Sequence, residues 1–312
     1  RTGAVVAEPP PFASKSGLTL APAGDRFAVN YGDDIVIGDF PAGAIVDRIA
    51  LAGSTDVPPA FSPDGRYLAF ADGPKMMLRD VRQGGSVEVG QRDAGSTAMT
   101  FAPAGDAFLY VASSDVIIIF DTATRRTREF RVPGEKGPVQ SIAITGDGTI
   151  LATGGNIYDG TVRLWDLESG TMLRTLPSDD LMPIARLMFS PDGRTIASVT
   201  QFAEALRLWD VSTGQRVAGP IRLEGSSPRT AGVAFAPDGE SLATAEAGGV
   251  VIRDLAPARW IEALCRSVNR NLTAEEWRSY VGSYAYEQTC PLASATTGAD
   301  RQLMQLNSAI VP

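Results

Sequence analysis

Asp159-Gly-Thr-Val-Arg-Leu-Trp-Asp166 reads as a tight turn running into a short strand that closes on Trp-Asp. The ending returns as Leu206-Arg-Leu-Trp-Asp210, and in weaker form at Met76–Asp80, Val116–Asp121 and Val250–Asp254. Residues 17–255 therefore read as repeats of one unit that ends this way.

Outward from that strand, each unit carries a second signal. The turns Ala21-Pro-Ala-Gly-Asp25, Ser62-Pro-Asp-Gly65, Ala102-Pro-Ala-Gly-Asp106, Thr145-Gly-Asp-Gly148, Ser190-Pro-Asp-Gly193 and Ala236-Pro-Asp-Gly239 follow one another at 40 to 46 residues. Pro presets φ for a turn's second position, Asp caps its own backbone, and Gly accepts a positive φ. Two residues before each turn's second position stands Leu20, Phe61, Phe101, Ile144, Phe189 or Phe235, expected as a repeated core anchor. Short strands with small residues follow, such as Tyr67–Phe70, Thr149–Ala152 and Ser241–Thr244. Polar residues after each closing Asp lead to a fourth strand, clearest at Thr171–Leu176.

A unit of about 40 residues with four strands, closing on Trp-Asp, resembles the WD-repeat β-propeller. The resemblance covers roughly residues 3–255 and implies an all-β fold of six blades; seven, the family's commonest number, stays open. Ala4-Val-Val-Ala7 is expected to lend the last unit its fourth strand, as N-terminal strands do in this family. Trp165 and Trp209 are expected to be structural, packed between blades, with Asp159, Asp166 and Asp210 in structural roles beside them. The chain has no histidine, so the Asp-His-Ser-Trp hydrogen-bond network of such repeats cannot form. Blade rigidity is expected mainly from apolar packing, with Asp159 helping its own turn.

The missing histidine also removes Ser-His-Asp and Cys-His catalysis and His-ligated metal sites. With two cysteines, Cys265 and Cys290, no disulfide framework is expected; they are either a single bridge or two thiols. No metal and no cofactor is expected. A net charge of −8 and a pI near 4.8 argue against nucleic acid or an anionic membrane surface as partner. No run of 18 apolar residues and no signal-peptide pattern is present, and a cytoplasmic location is expected.

The pattern changes after Asp254, giving expected domains of 1–255 for the propeller, 256–291 for a small helical segment packed on it, and 292–312 for a tail. Trp260, Ile261, Leu264, Cys265 and Val268 fall at helical spacing, and Thr273-Ala-Glu-Glu276 reads as a capping box. The residues Leu264-Cys-Arg, Asn269-Arg-Asn-Leu-Thr273, Glu276-Trp277, Tyr280, Tyr286 and Thr289-Cys-Pro291 are similar to a segment that follows WD-repeat propellers in bacterial multidomain proteins. Those proteins include STAND-type signal-transduction NTPases. The similarity implies an upstream effector or NTPase domain; the chain itself has no G-x-x-x-x-G-K-[ST] phosphate loop.

Function is expected on the loops opposite the S-P-D-G turns. Tyr31, Tyr158 and Phe202 fall in loops between second and third strands, and Gln140 and Arg186 near the starts of two first strands. Aromatics grouped on one face suit a protein or peptide hot spot, though such rings also pack within their own chain. Asp33, Asp34, Asp179, Asp180 and Glu204 would favour a basic partner. The expected function is a non-enzymatic interaction or sensor module; the alternative is a propeller hydrolase or lyase acting through loop carboxylates.

Overall fold

The computed structural model describes residues 14–53, 57–134, 137–155, 159–177, 182–201, 205–223, 233–246 and 249–256. Five four-stranded antiparallel sheets follow one another. The first is β1 (Ser14–Leu20), β2 (Arg26–Tyr31), β3 (Asp34–Asp39) and β4 (Ile45–Ala50). The second is β5 (Ala60–Phe61), β6 (Tyr67–Asp72), β7 (Lys75–Asp80) and β8 (Ser86–Gln91). The third is β9 (Met99–Phe101), β10 (Ala107–Ser113), β11 (Val116–Asp121) and β12 (Thr127–Arg131). The fourth is β13 (Ser141–Ile144), β14 (Ile150–Gly154), β15 (Val162–Asp166) and β16 (Met172–Leu176). The fifth is β17 (Ile184–Phe189), β18 (Thr195–Thr200), β19 (Ala205–Asp210) and β20 (Arg216–Arg222). A sixth sheet holds three described strands, β21 (Val233–Phe235), β22 (Ser241–Glu246) and β23 (Gly249–Asp254). First strands of consecutive sheets neighbour one another from β1 through β5, β9, β13 and β17 to β21. This is the blade order of a six-bladed β-propeller. Ala4–Ala7 and the expected helices of 256–291 lie outside the described residues, apart from Ala256.

The chain divides into two units, residues 1–239 with 243–251, and residues 240–242 with 252–312. In the second, among the described residues, the Leu255 N–H donates to the Glu240 carbonyl and the Ala256 N–H to Asp254 Oδ1.

Apolar side chains lie in the seams between sheets. Ile35 and Ile37 of the first sheet meet Leu68 and Phe70 of the second. Leu109, Ile117 and Phe130 of the third meet Ile142, Leu151 and Trp165 of the fourth. Leu164 and Leu176 of the fourth meet Leu187, Ile196 and Trp209 of the fifth. Because both faces of an inner strand are covered, buried residues run on without alternating, as in β2, β6 and β10. Outer strands alternate or lie open, as β4 and β16 do. Of the expected anchors, Phe101, Ile144 and Phe189 are buried, Phe61 and Phe235 are half-buried, and Leu20 is 47% exposed.

One end of every sheet has fixed length. The turns between first and second strands are residues 21–25, 62–66, 102–106, 145–149, 190–194 and 236–240, five residues each. Those between third and fourth strands, 40–44, 81–85, 122–126, 167–171 and 211–215, are again five. Turn chemistry sets this length. Asp64, Asp147 and Asp192 accept a hydroxyl from Ser62, Thr145 and Ser190, and a backbone N–H two residues on. The Asp that closes the third strand caps the next turn in the same manner. Asp80, Asp121, Asp166 and Asp210 each accept a backbone N–H two or three residues ahead. Residue four of that turn needs φ > 0, and Gly43, Gly84, Gly170 and Gly214 supply it at 72–74°. In the third sheet the position is Arg125, at 56°.

Candidate interaction face

At the opposite end, loop length varies. Second and third strands are joined by two residues at 32–33, 73–74, 114–115 and 247–248, but by seven at 155–161 and four at 201–204. Connections into first strands also range in length, from 92–98 and 177–183 to 223–232.

This end is braced by polar contacts between neighbouring sheets. Asn30 Nδ2 donates to the Val57 carbonyl at 2.9 Å, and the Gly53 N–H to Asp72 Oδ1 at 2.8 Å. Between the fourth and fifth sheets, Ser141 Oγ donates to the Ile184 carbonyl at 2.7 Å, and the Ile184 N–H to the Gly155 carbonyl at 3.0 Å. A Cβ at Gly154 would overlap Ser141 Oγ and lie 2.7 Å from Ile184 Cβ, so the chain enters β17 against a position that only glycine fits.

Asp159 is buried at 5% side-chain exposure and pairs with Arg163 Nη1 at 2.6 Å. Thr161 Oγ1 donates to its other oxygen at 2.7 Å, and Arg163 Nη2 reaches the Gly134 carbonyl at 3.3 Å. Trp165 is 1% exposed, stands edge-on to Phe130, and donates from Nε1 to Thr153 Oγ1 at 3.0 Å. Trp209, 3% exposed, does the same to Ser198 at 3.1 Å. Half of the four-residue network thus persists without histidine, and Arg163 takes up the buried Asp. The sequence predicts mainly apolar packing, with Asp159 helping its own turn; the structure adds the Arg163 pair and the Trp–hydroxyl bonds to it. Arg163 was the residue sequence reasoning missed. Its signal was the Arg two places before each Trp, at 163 and 207.

Gln140 and Arg186 sit at the entries of the neighbouring first strands β13 and β17, so the structure brings them to adjacent blades. Gln140 is half-buried and its N–H donates to the Gly154 carbonyl. Arg186 is exposed by area, yet burial of its guanidinium pushes its pKa down. The two fit a side chain open along one flank and walled on the others; the open flank decides access. Tyr31 ends β2 in the first sheet, apart from this pair. Its half-buried ring packs on Phe27 and Val29, with the Arg48 guanidinium 5.8 Å from its centre, and Arg48 in turn pairs with Asp34 at 2.8 Å. Tyr158, Phe202, Asp179, Asp180 and Glu204 lie outside the described residues.

The fixed end has its own electrostatics. The Ser169 hydroxyl holds Asp166 below the usual carboxylate range, and the Ser212 hydroxyl does so for Asp210. At Asp64 and Asp80 burial pushes upward, but hydrogen bonds from Ser62 and from the Gln83 N–H, with others, outweigh it. Two open grooves lie here between blades. One of about 640 Å³ is bordered by Arg128, Ile144 and Asp147, the other of about 480 Å³ by Leu173, Arg174 and Asp192. Each is crossed by an interblade bond, from Arg128 to the Leu167 carbonyl and from Arg174 to the Thr213 carbonyl. Among the described residues no three potential metal ligands group together, and no helix is long and apolar enough to cross a membrane.

Residues 126–166 match the family model "WD domain, G-beta repeat". The match runs from the fourth strand of the third sheet to the third strand of the fourth. The chain is similar to the small ribosomal subunit protein RACK1 of Caenorhabditis elegans, 30% identical over 116 residues, 35% of this chain and 34% of that protein. It is similar to RACK1 of Schizosaccharomyces pombe, 30% identical over 128 residues, 39% of this chain and 38% of that one. A shorter stretch of 68 residues is 40% identical to eukaryotic translation initiation factor 3 subunit I of Phaeosphaeria nodorum, covering 22% of this chain and 19% of that protein. The chain thus spans less than two fifths of the length of each of these relatives. With the six sheets, the matched repeat makes the fold an all-β WD-repeat propeller of six blades.

Proposed function

We propose that this chain is a non-enzymatic interaction module that binds a protein or peptide partner at the variable end of its blades. One observation carries the reading: all described turns at the S-P-D-G end have five residues, while loop length varies at the other end. A rigid frame with variable loops on one side is the arrangement of a recognition surface. Two relatives bear names that place them in assemblies, a small ribosomal subunit and a translation initiation factor.

Asp64, Asp80, Asp121, Asp147, Asp166, Asp192 and Asp210 are all shifted down, by hydrogen bonds in or beside their turns. A carboxyl acting as general acid needs the opposite shift, which favours binding over the hydrolase or lyase reading. The finer proposal is a cytoplasmic sensor within a larger bacterial signalling or defence protein, holding an upstream effector or NTPase domain. It rests on the sequence of 264–291 alone, because the relatives named above are eukaryotic.

The test is capture of partners on immobilised protein. One variant replaces Gln140, Tyr158, Arg186 and Phe202 with Ala; another replaces Arg174 and Arg194 at the fixed end. Loss of a captured protein from the first variant only is the expected result. Loss from the second only would move the site to the interblade grooves and overturn the reading.

A further inference from the structure

We infer that Arg186 is an anchor for a carboxylate of the bound partner, an acidic side chain or a chain terminus. The inference rests on the binding reading above and names the chemistry of that site. Its frame is rigid: Ile184, two residues earlier, is 1% exposed and held by the Ser141 hydroxyl and the Gly155 carbonyl. A register shift between Ile184 and Arg186 then turns the strand, and such irregularities re-aim side chains beside functional sites. Cross-strand pairing runs from Arg186 to Val199 and on to Leu206, so Arg186 shares a sheet face with two residues at most 2% exposed.

Among the described residues, no charged group answers the guanidinium. Among the described residues, no hydrogen bond or ion pair to its side chain occurs, in contrast to Arg48, Arg66, Arg79 and Arg163, each beside a carboxylate. Its pKa is pushed down by burial with no opposing carboxylate. A guanidinium that has lost water and meets no carboxylate among the described residues gains most from a carboxylate, which it grips through two parallel N–H bonds. Arg186 is still open to solvent, so a ligand can reach it.

The experiment selects binders from two random peptide libraries on the full chain, one with free C-termini and one with internal peptides. The strongest peptide is then titrated against wild type, Arg186→Gln and Arg186→Lys. The expected result is a carboxylate at one fixed position, the library of origin telling side chain from terminus. Arg186→Gln should lose about tenfold or more in affinity, with Arg186→Lys between. Thermal melting separates a binding role from a structural one, since removal of an unanswered charge should leave the melting temperature unchanged or higher. Selected peptides without a fixed carboxylate, or equal affinity in Arg186→Gln, overturn the inference and leave the binding reading intact. A fall in melting temperature also overturns it, by showing that a carboxylate of the chain itself pairs with Arg186. Failure to select any peptide overturns both.

Discussion

The fourth and fifth blades fill one position in a way the first three do not. The residue before the strand-closing Asp is Trp165 or Trp209, buried and bonded to a hydroxyl on the adjacent strand. At the same register the third blade has Phe120, the second Arg79 and the first Gly38. Phe120 belongs to an aromatic cluster with Phe108 and Tyr110, whose rings stack at 5.7 Å. Burial, with Glu88 nearby, raises the Tyr110 pKa to about 12, so the phenol stays neutral. Arg79 reaches across the seam to Asp47 at 2.6 Å. Gly38 leaves its space to the Phe27 ring, which a Cβ there would overlap. The slot therefore accepts indole, phenyl, guanidinium or a neighbour's ring. What recurs in all five is the Asp after it and the five-residue turn that follows. Turn chemistry defines the unit, and the tryptophan is one of several ways to fill it.

Acid should have the largest effect, because both groups of blades share these turns. Asp64, Asp80, Asp121, Asp147, Asp166, Asp192 and Asp210 have folded pKa values below their ordinary one. Their contribution is full above about pH 4 and is lost as pH falls through the folded values beneath it. Thermal melting against pH should be level near neutrality and fall steeply in acid, with Asp121→Asn and Asp166→Asn flattening the fall alike. Unequal flattening would break the claim that the turn is the common element.

Replacement of the slot residue should separate the blades. Trp165→Ala should cost about 3–5 kcal/mol in urea unfolding, as large-to-small core changes do. Trp165→Phe, which copies the third blade, should cost about 1–3 kcal/mol, since it leaves the buried Thr153 hydroxyl without its donor. No measurable cost would mean that the hydrogen bond adds nothing to the indole's packing.

Arg163→Met removes the cation paired with Asp159, whose side chain is 5% exposed, and should cost about 3 kcal/mol. Pairing it with Asp159→Asn should recover most of that loss, bringing the blade closer to the third, where Ile118 holds the register of Arg163. Equal stability of the single and double variants would show that the ion pair is not the coupling element. Smallest is Arg125→Gly, which relieves a left-handed backbone and should raise stability by about 0.5–1 kcal/mol. A loss there would show that the Arg125 side chain holds the turn.

Much of the fold was legible because turns and strand ends are local. Ser62-Pro-Asp-Gly65 or Trp165-Asp166 announces itself over a few residues, and six copies set the period. Burial was less legible: Leu20 looks like Phe101 in sequence, but one is exposed and the other packed against Phe108. The tryptophans read as packed between blades, and both lie in such seams, but the polar contacts between blades were not legible. Arg128 meets the Leu167 carbonyl and Ser141 the Ile184 carbonyl across about 40 residues of chain. For the site, position along a strand placed Gln140 and Arg186 at the end where loop length varies, as the structure has them. It could not show that Arg48 already lies over Tyr31, or that Arg186 stands without a carboxylate among the described residues.

The matched repeat stops on β15, whereas its sheet goes on to β16. During synthesis, once Asp166 has left the ribosome and before residues 172–176 have, three strands can pair while the fourth place stands empty. The outer N–H and C=O groups of β15 then form an open edge, the kind that joins to other chains. The edge closes only when Met172–Leu176 has emerged and paired with β15. A chain interrupted between Asp166 and Met172 therefore keeps that edge open, whereas one that extends past Leu176 can cover it.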